Sequence, residues 1–417
     1  MSHSTILLTT VAAFIVLTIN TVSAISVEDL DYDSFNVNSF PPLHKFYNFT
    51  PPTFISIARE YGYPAEQYDV TTEDGYILTL FHIPGKSQYP VFLQHGILDS
   101  ADTWIIRGSN SLAITLASRG YDVWLGNSRG SRYARRHVSL DPDKDEQFWD
   151  FSFNEVGYYD LPAMVDKILK ETDATSLTAI GHSQGTTAFY VFGATRPEYN
   201  EKINLMISLA PICYFEHSVP PLSTIMKIAP YVIEFFSKLN LQEFFGDTNL
   251  PSRIFRALCS TPVVGYAVCL NGLLFPLVGH DPYEIEPSFF NPTILEHYPA
   301  GTSAKSMYHF LQLGYTNVFK KYDYGPELNL EYYNSTVPPL YDFSKITMPI
   351  AMIAGRNDRL SMIPDVLKLK DQLPNVVYYA VSSRSKFNHF DDVWGRRMRI
   401  YLFPYIFKIL ERYNGFD

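Results

Sequence analysis

The sequence predicts an α/β fold: a mostly parallel central sheet with helices on both faces and one inserted cap subdomain. Three observations carry this. Short, mainly apolar runs such as Val91–Gln94, Ile203–Leu209 and Ile350–Ala354 alternate with amphipathic stretches, the pattern of buried strands joined by crossover helices. That rhythm stops once, over roughly residues 212–345, where Pro, Phe and Tyr are frequent and no strand–helix alternation is visible. The stretch Leu177–Ala188, LTAIGHSQGTTA, reads as a strand, a tight turn and a helix opening on small residues.

From the N-terminus, Met1–Ser4 is short and polar, Ile6–Ile19 is apolar and Val22-Ser23-Ala24 is a small-residue cleavage site, so residues 1–24 read as a signal peptide. A secreted or lysosomal product follows. Residues 25–60 are polar and Pro-marked, an N-terminal arm. Tyr68–Thr71 and Tyr76–Ile83 flank a Glu73-Asp74-Gly75 turn and form a hairpin. Then come the strand Val91–Gln94, the helix Ser109–Ser118, the strand Asp122–Leu125 and the helix Tyr158–Lys170. Leu177–Ile180 leads into the turn, Thr186–Ala194 continues as a helix, and Ile203–Leu209 is a further strand. After the interruption, Ile350–Ala354 and Val376–Val381 are strands separated by the helical Met362–Leu373, and Trp394–Tyr413 closes the chain as a helix. The expected division is therefore an arm at 25–60, a core in two parts at 61–211 and 346–417, and a cap or lid at 212–345.

Composition narrows the partners. With 33 basic and 43 acidic residues the net charge is −10, and Arg132–Arg136 is the densest basic run, so nucleic acid is not an expected partner. Ala257–Gly279 has no charged residue and is long enough to span a bilayer, but Pro262, Asn271, Pro276 and several glycines interrupt it; a buried or lipid-facing cap helix is expected, not a stable membrane span. Three cysteines, Cys213, Cys259 and Cys269, are too few for a disulfide scaffold and lack zinc-site spacing. An oxidising compartment permits one bridge, expected between Cys259 and Cys269, leaving Cys213 free. Asn48-Phe49-Thr50 and Asn334-Ser335-Thr336 are glycosylation acceptors on the secretory route.

The turn in Leu177–Ala188 carries the chemistry. A sharp strand-to-helix turn lifts one Ser hydroxyl above the sheet, Gly181 and Gly185 leave room for it, and Ser183 is the candidate nucleophile. The pentapeptide Gly126-Asn127-Ser128-Arg129-Gly130 has the same spacing, but Arg132, Tyr133, Arg135 and Arg136 follow it where a tight helix start needs small residues. It reads as a strand end and loop shaping the site floor. A Ser nucleophile needs a base and an acid to orient that base, in the order Ser, Asp or Glu, His on loops after later strands. Asp358 follows the strand Ile350–Ala354, and His389 follows Val376–Val381. His217, His280, His297 and His309 fall in the cap without a preceding strand end; Asp365 and Asp371 lie on a helix, where surface roles are expected; Asp391 and Asp392 follow His389 too closely for that order. Two backbone N–H donors would stabilise an oxyanion, those of Gln184 after the nucleophile and of Ile97 in the loop His95-Gly96-Ile97.

These residues, with FLQHGI (92–97), YDVWLGNSRG (121–130), YDLP (159–162), GHSQGTT (181–187), PAGTS (299–303) and NHFD (388–391), resemble the blocks of the acid lipases of the α/β-hydrolase superfamily, the gastric and lysosomal type. The resemblance runs from about residue 50 to the C-terminus. It implies Ser183 as nucleophile, Asp358 as acid, His389 as base, and Ile97 and Gln184 as oxyanion donors. It also implies cofactor-free hydrolysis of triacylglycerols and, in some members, cholesteryl esters, at a lipid–water interface under a lid. Cys213, at the end of a central strand, departs from the family's cap-cysteine pattern, and the cap is the least similar region. Other readings of the same chain are a carboxylesterase for smaller esters, an acyl transferase using an alcohol, and a catalytically silent lipid-binding protein; the last is set back by the presence of all three candidate residues.

Overall fold

A computed structural model describes residues 51–246, 255–256, 259–260 and 265–415. The signal-peptide segment, most of the 25–60 arm and the Asn48 sequon lie outside the described residues.

The strands in chain order are β1 (Glu66–Thr71), β2 (Ile77–Ile83), β3 (Val91–Gln94), β4 (Val123–Gly126), β5 (Leu177–His182), β6 (Ile203–Leu209), β7 (Glu243–Phe244), β8 (Thr302–Ser303), β9 (Ile350–Ala354) and β10 (Val376–Val381). Eight of them form one sheet in the order β1-β2-β4-β3-β5-β6-β9-β10. β1 and β2 are the antiparallel hairpin, β2 pairs antiparallel with β4, and every pairing from β4 to β10 is parallel. β3, β4, β5 and β9 are buried along their whole length, as expected of strands covered on both faces.

Successive side chains point to opposite faces of a strand. Val91, Leu93, Val123, Leu125, Ile180, Ile207, Ala351 and Ile353 enter one apolar core, together with Phe54, Trp394, Ile406 and Leu410. Phe92, Trp124, Leu177, Ala179, Met206, Ile350 and Met352 enter the opposite core, with the helices Leu161–Thr172, Gln184–Thr195 and Ile363–Gln372.

Several sequence expectations are corrected in detail. The helix expected at Tyr158–Lys170 begins earlier: Ser152 and Glu155 form a reciprocal capping box, and helical structure runs from Phe153 through a π-helical turn at Val156–Asp160 to Thr172. Trp394–Tyr413 is not one helix. It is divided into Asp391–Trp394, Met398–Tyr401 and Phe403–Asn414, because Gly395 is extended (ψ 129°) and Pro404 opens the last helix in its first turn. The end of the arm is a helix, Phe54–Glu60, capped by Thr53 and stacked through Phe54 on Phe81 at 4.7 Å.

Between β6 and β9 the chain leaves the main sheet. It contributes the helices Leu222–Lys227, Ala229–Lys238, Ala304–Thr316 and Pro326–Tyr333 and the two-stranded β7–β8 ladder. Within the apolar run, Tyr266–Leu274 is π-helical and Phe275–Val278 α-helical, with Tyr266, Cys269, Leu270, Phe275 and Val278 buried. Cys259 and Cys269 form a disulfide, and Cys213 is free and buried. No helix of the described residues is long and apolar enough to cross a membrane.

Candidate active site

The site lies at the C-terminal ends of β5, β9 and β10, where an open parallel sheet leaves a crevice. β5 ends at His182, and Ser183 turns the chain with φ 54° and ψ −122° into the helix Gln184–Thr195. Ser128 in the second pentapeptide has no positive φ. The turn is held by close approach: a Cβ on Gly185 would lie 2.5 Å from the Gln94 carbonyl oxygen, and one on Gly181 would lie 3.0 Å from the Thr186 nitrogen. Residues Gln184–Ala194 are all buried, so this helix is core on every side and fixes the Ser183 backbone.

Ser183, Asp358 and His389 come from positions far apart in sequence and meet in one hydrogen-bonded chain. His389 Nδ1 is 2.8 Å from Asp358 Oδ2, and His389 Nε2 is 2.8 Å from Ser183 Oγ. A carboxylate only accepts, so Nδ1–H donates to Asp358 and Nε2 accepts from the Ser183 hydroxyl. The other Asp358 oxygen accepts from the Leu360 and Ser361 backbone N–H groups, both at 2.8 Å, which fixes the carboxylate plane. All three side chains are buried. The arrangement can take the proton of Ser183 onto His389 with a fixed anion behind it, the requirement for nucleophilic attack by a Ser hydroxyl.

The loop after β3 abuts this chain: a Cβ on Gly96 would lie 3.1 Å from that of Ser183. His95 locks the loop, its Nε2 accepting from the Ser128 N–H at 3.1 Å and its Nδ1–H donating to the Gly96 carbonyl at 2.7 Å. Burial pushes His95 down to about 4, which keeps it the neutral tautomer those two bonds need. Gln184 is the first residue of its helix, where the N–H has no intrahelical acceptor. Ile97 and Gln184 thus stand on the two segments flanking Ser183.

The second pentapeptide is structural. Ser128 Oγ accepts from Gln94 Nε2 at 2.8 Å, and buried Arg129 binds Asp160 through Nε at 2.8 Å and Asp74 through both terminal nitrogens. Histidines of the segment between β6 and β9 have other partners: His297 pairs with Asp102 at 2.8 Å, and His309 lies between Ser152 Oγ and the Lys320 carbonyl, both at 2.9 Å. The expectation of a surface role for Asp365 is corrected: it is buried, because its carboxylate accepts from the backbone N–H and Nδ1 of His217. Asp371 is exposed. Glu216, His217 and Asp365 bring ligand-type atoms within 4.8 Å of one another, but Lys368 pairs with Glu216 and His217 with Asp365. Asn334 is exposed at the end of the helix Pro326–Tyr333.

Sequence reasoning missed the segment Pro276–His280. It crosses between the loops of Asp358 and His389, the Val278 carbonyl accepting from the His389 N–H at 3.2 Å and the Gly279 carbonyl from Asn388 Nδ2 at 2.8 Å. The His280 carbonyl accepts from Asn357 Nδ2 at 3.0 Å. Only backbone carbonyls are used, so side-chain motifs gave no signal. Asp392 was also set aside by order alone. It is buried, neither of its oxygens has a hydrogen-bond partner among the described residues, and burial beside Asp358 pushes it well above the usual carboxylate range.

Comparisons with known proteins identify the family. Residues 89–392 match the alpha/beta hydrolase fold family, and residues 54–108 match the partial alpha/beta-hydrolase lipase region. Lipase 1 of Drosophila melanogaster is 39% identical over 358 residues, 84% of this chain and 78% of that protein. Gastric triacylglycerol lipase of Mus musculus is 38% identical over 346 residues, 80% of this chain and 85% of that protein. A soluble variant of monoglyceride lipase from Saccharomyces cerevisiae shares the fold, with a TM-score of 0.51 at 14% identity over 84% of this chain and 97% of that one. The chain is a serine ester hydrolase and belongs to the acid lipase family, the gastric and lysosomal type, of the α/β-hydrolase superfamily.

Proposed function

We propose that the protein is a secreted or lysosomal lipase that hydrolyses triacylglycerols and related neutral lipids at a lipid–water interface through an acyl-enzyme at Ser183. The observation that carries the mechanism is the hydrogen-bonded chain Ser183–His389–Asp358. Ser183 Oγ attacks the ester carbonyl as its proton passes to His389 Nε2, and Asp358 stabilises the imidazolium. The proton then goes to the departing alcohol oxygen. Water, deprotonated by His389, attacks the acyl-enzyme, and the fatty acid leaves as Ser183 regains its proton. The N–H groups of Ile97 and Gln184 face the oxyanion in both steps. No cofactor is required for any of them.

The substrate class rests on relatives named as lipases and on the segment 212–345, read as the cap. There the helix Ala229–Lys238 exposes Tyr231 and Phe235, and Ile228 is exposed just before it. Apolar side chains in water suit a lipid surface. Entry to the secretory route is supported by the composition of residues 1–24, and with it N-glycosylation at Asn48 and Asn334.

The test is fatty-acid release from emulsified trioleoylglycerol and from a soluble butyrate ester by the wild type, Ser183→Ala and Gln184→Ala. Release from the emulsion is expected to vanish in Ser183→Ala, by at least ~10⁴-fold, and to persist substantially in Gln184→Ala, which keeps its backbone N–H. Activity on butyrate alone would make it a small-ester esterase. Equal loss in both variants would overturn the backbone-donor assignment.

A further inference from the structure

The residue before the nucleophile, His182, contributes more than strand packing. It is the last residue of β5 and is 3% exposed. Its Nε2 is 2.9 Å from the main-chain carbonyl oxygen of His389. A carbonyl only accepts, so Nε2 carries the proton and Nδ1 is bare; Nδ1 has no hydrogen-bond partner among the described residues. A histidine buried with one unsatisfied nitrogen costs stability, and such a group persists where its other bond serves a purpose.

That purpose is legible in what else holds His389. Its N–H donates to the Val278 carbonyl at 3.2 Å, its Nδ1–H to Asp358 and its Nε2 accepts from Ser183. The carbonyl is the remaining polar group of the residue, and His182 binds it. The two imidazole rings lie 4.8 Å apart at 45°, and the Trp104 ring meets His182 edge-on at 6.5 Å. The Ser183 backbone and the His389 backbone are thereby joined through one side chain: His182 is covalently next to Ser183 and hydrogen-bonded to His389.

We propose that His182 is a positioning residue for ester hydrolysis, its Nε2–H bond to the His389 carbonyl holding the imidazole in register between Ser183 and Asp358. The inference rests on the Ser183–His389–Asp358 reading. The bond does not change through the cycle, since His182 neither gains nor loses a proton. Burial and the neighbouring His389 push its pKa well down, so it stays neutral when His389 becomes cationic.

The test compares His182→Gln with His182→Met. The two side chains are close in size, and only Gln carries an N–H where Nε2 stands. Purified variants are assayed on a soluble butyrate ester for kcat and KM separately. Displacing a reacting group slightly costs up to about 100-fold, so His182→Met is expected to lose ~10- to 100-fold in kcat with KM little changed, and His182→Gln to recover most of it. Equal kcat in the two variants, high or low, would overturn the proposal. Should His182→Met not fold, ¹⁵N spectroscopy of the wild-type imidazoles decides instead. The Nε2–H tautomer at His182 supports the bond, and the Nδ1–H tautomer excludes it. Labelling of the wild type by a fluorophosphonate, mapped to Ser183 by mass, tests the underlying reading apart from His182. An adduct at Ser183 with equal His182 variants would sink only the positioning role; an adduct elsewhere would sink the triad.

Discussion

Ser183 holds φ 54° and ψ −122°, a backbone state that costs a non-glycine residue about 1–3 kcal/mol and persists where the surroundings over-determine it. Here the surroundings are a helix buried from Gln184 to Ala194 on one side and β5 on the other. Individual buried acids tell a second story at this scale. Burial pushes Asp99, in the loop after β3, up to about 7. In the unfolded chain an Asp titrates near ~3.9. Below that value both states hold the proton, and Asp99 costs nothing. As pH rises towards 7 the unfolded state loses the proton first, so folding stability falls across this window and levels off above it. Asp99→Asn mimics the neutral form. Its Tm is expected to match wild type at pH 3.5 and to exceed it at pH 8, with a gain of a few kcal/mol at about 1.4 per pKa unit. A Tm difference independent of pH would contradict the buried neutral acid. Glu296 is pushed up to about 7 by burial, and its contribution has the same sign.

At the scale of elements, the segment Pro276–His280 ties the inserted region to both loops that carry Asp358 and His389. Gly279 has φ +103°, and a Cβ there would lie 1.9 Å from the Asn357 carbonyl oxygen. Both the conformation and the contact exclude any other residue. Gly279→Ala is therefore expected to lower kcat on soluble ester well beyond its KM effect, and to destabilise the fold by more than ~1 kcal/mol; unchanged kcat would show the two loops hold themselves. The C-terminal region shows the opposite lesson. Its amphipathic pattern is continuous from Trp394 to Tyr413, yet Gly395 and Pro404 divide it into separate helices. Periodicity recorded which side chains face the core and not where the axis bends.

For the whole molecule, the proposed lipid contact falls on the segment inserted between the central strands β6 and β9. The helix Ala229–Lys238 leaves Tyr231 74% and Phe235 51% exposed, while Ala304–Thr316 packs beside it. The double change Tyr231→Ser and Phe235→Ser is expected to reduce hydrolysis of emulsified lipid several-fold and leave the butyrate ester unaffected. Parallel loss on both substrates would mean that the helix shapes the site and does not dock. Away from the site, buried Arg129 with Asp74 and Asp160 joins the β1–β2 turn, the loop after β4 and the helix after it. Burial of a charge is tolerated there because both carboxylates bind it, and removing one partner of such a set costs about 3–5 kcal/mol.

Much of this was readable in the sequence because it is local. A strand feeding a tight turn with Gly181 and Gly185, and loops at Asp358 and His389 just past apolar runs, are patterns a few residues long whose backbone geometry follows from sterics. Alternation of apolar runs and amphipathic stretches likewise determined the parallel sheet, since strands covered on both faces must be apolar throughout. Tertiary structure alone decided what depends on pairing across distance. His182 meets His389 across 207 residues, Arg129 finds Asp74 across 55, and the Val278 and Gly279 carbonyls find the His389 loop with no side-chain signature. Asp365 looked like a surface acid because helix position, read alone, does not reveal that His217 folds back onto it. Backbone sterics and burial are written residue by residue; the partner of a polar group is chosen only when the chain has closed.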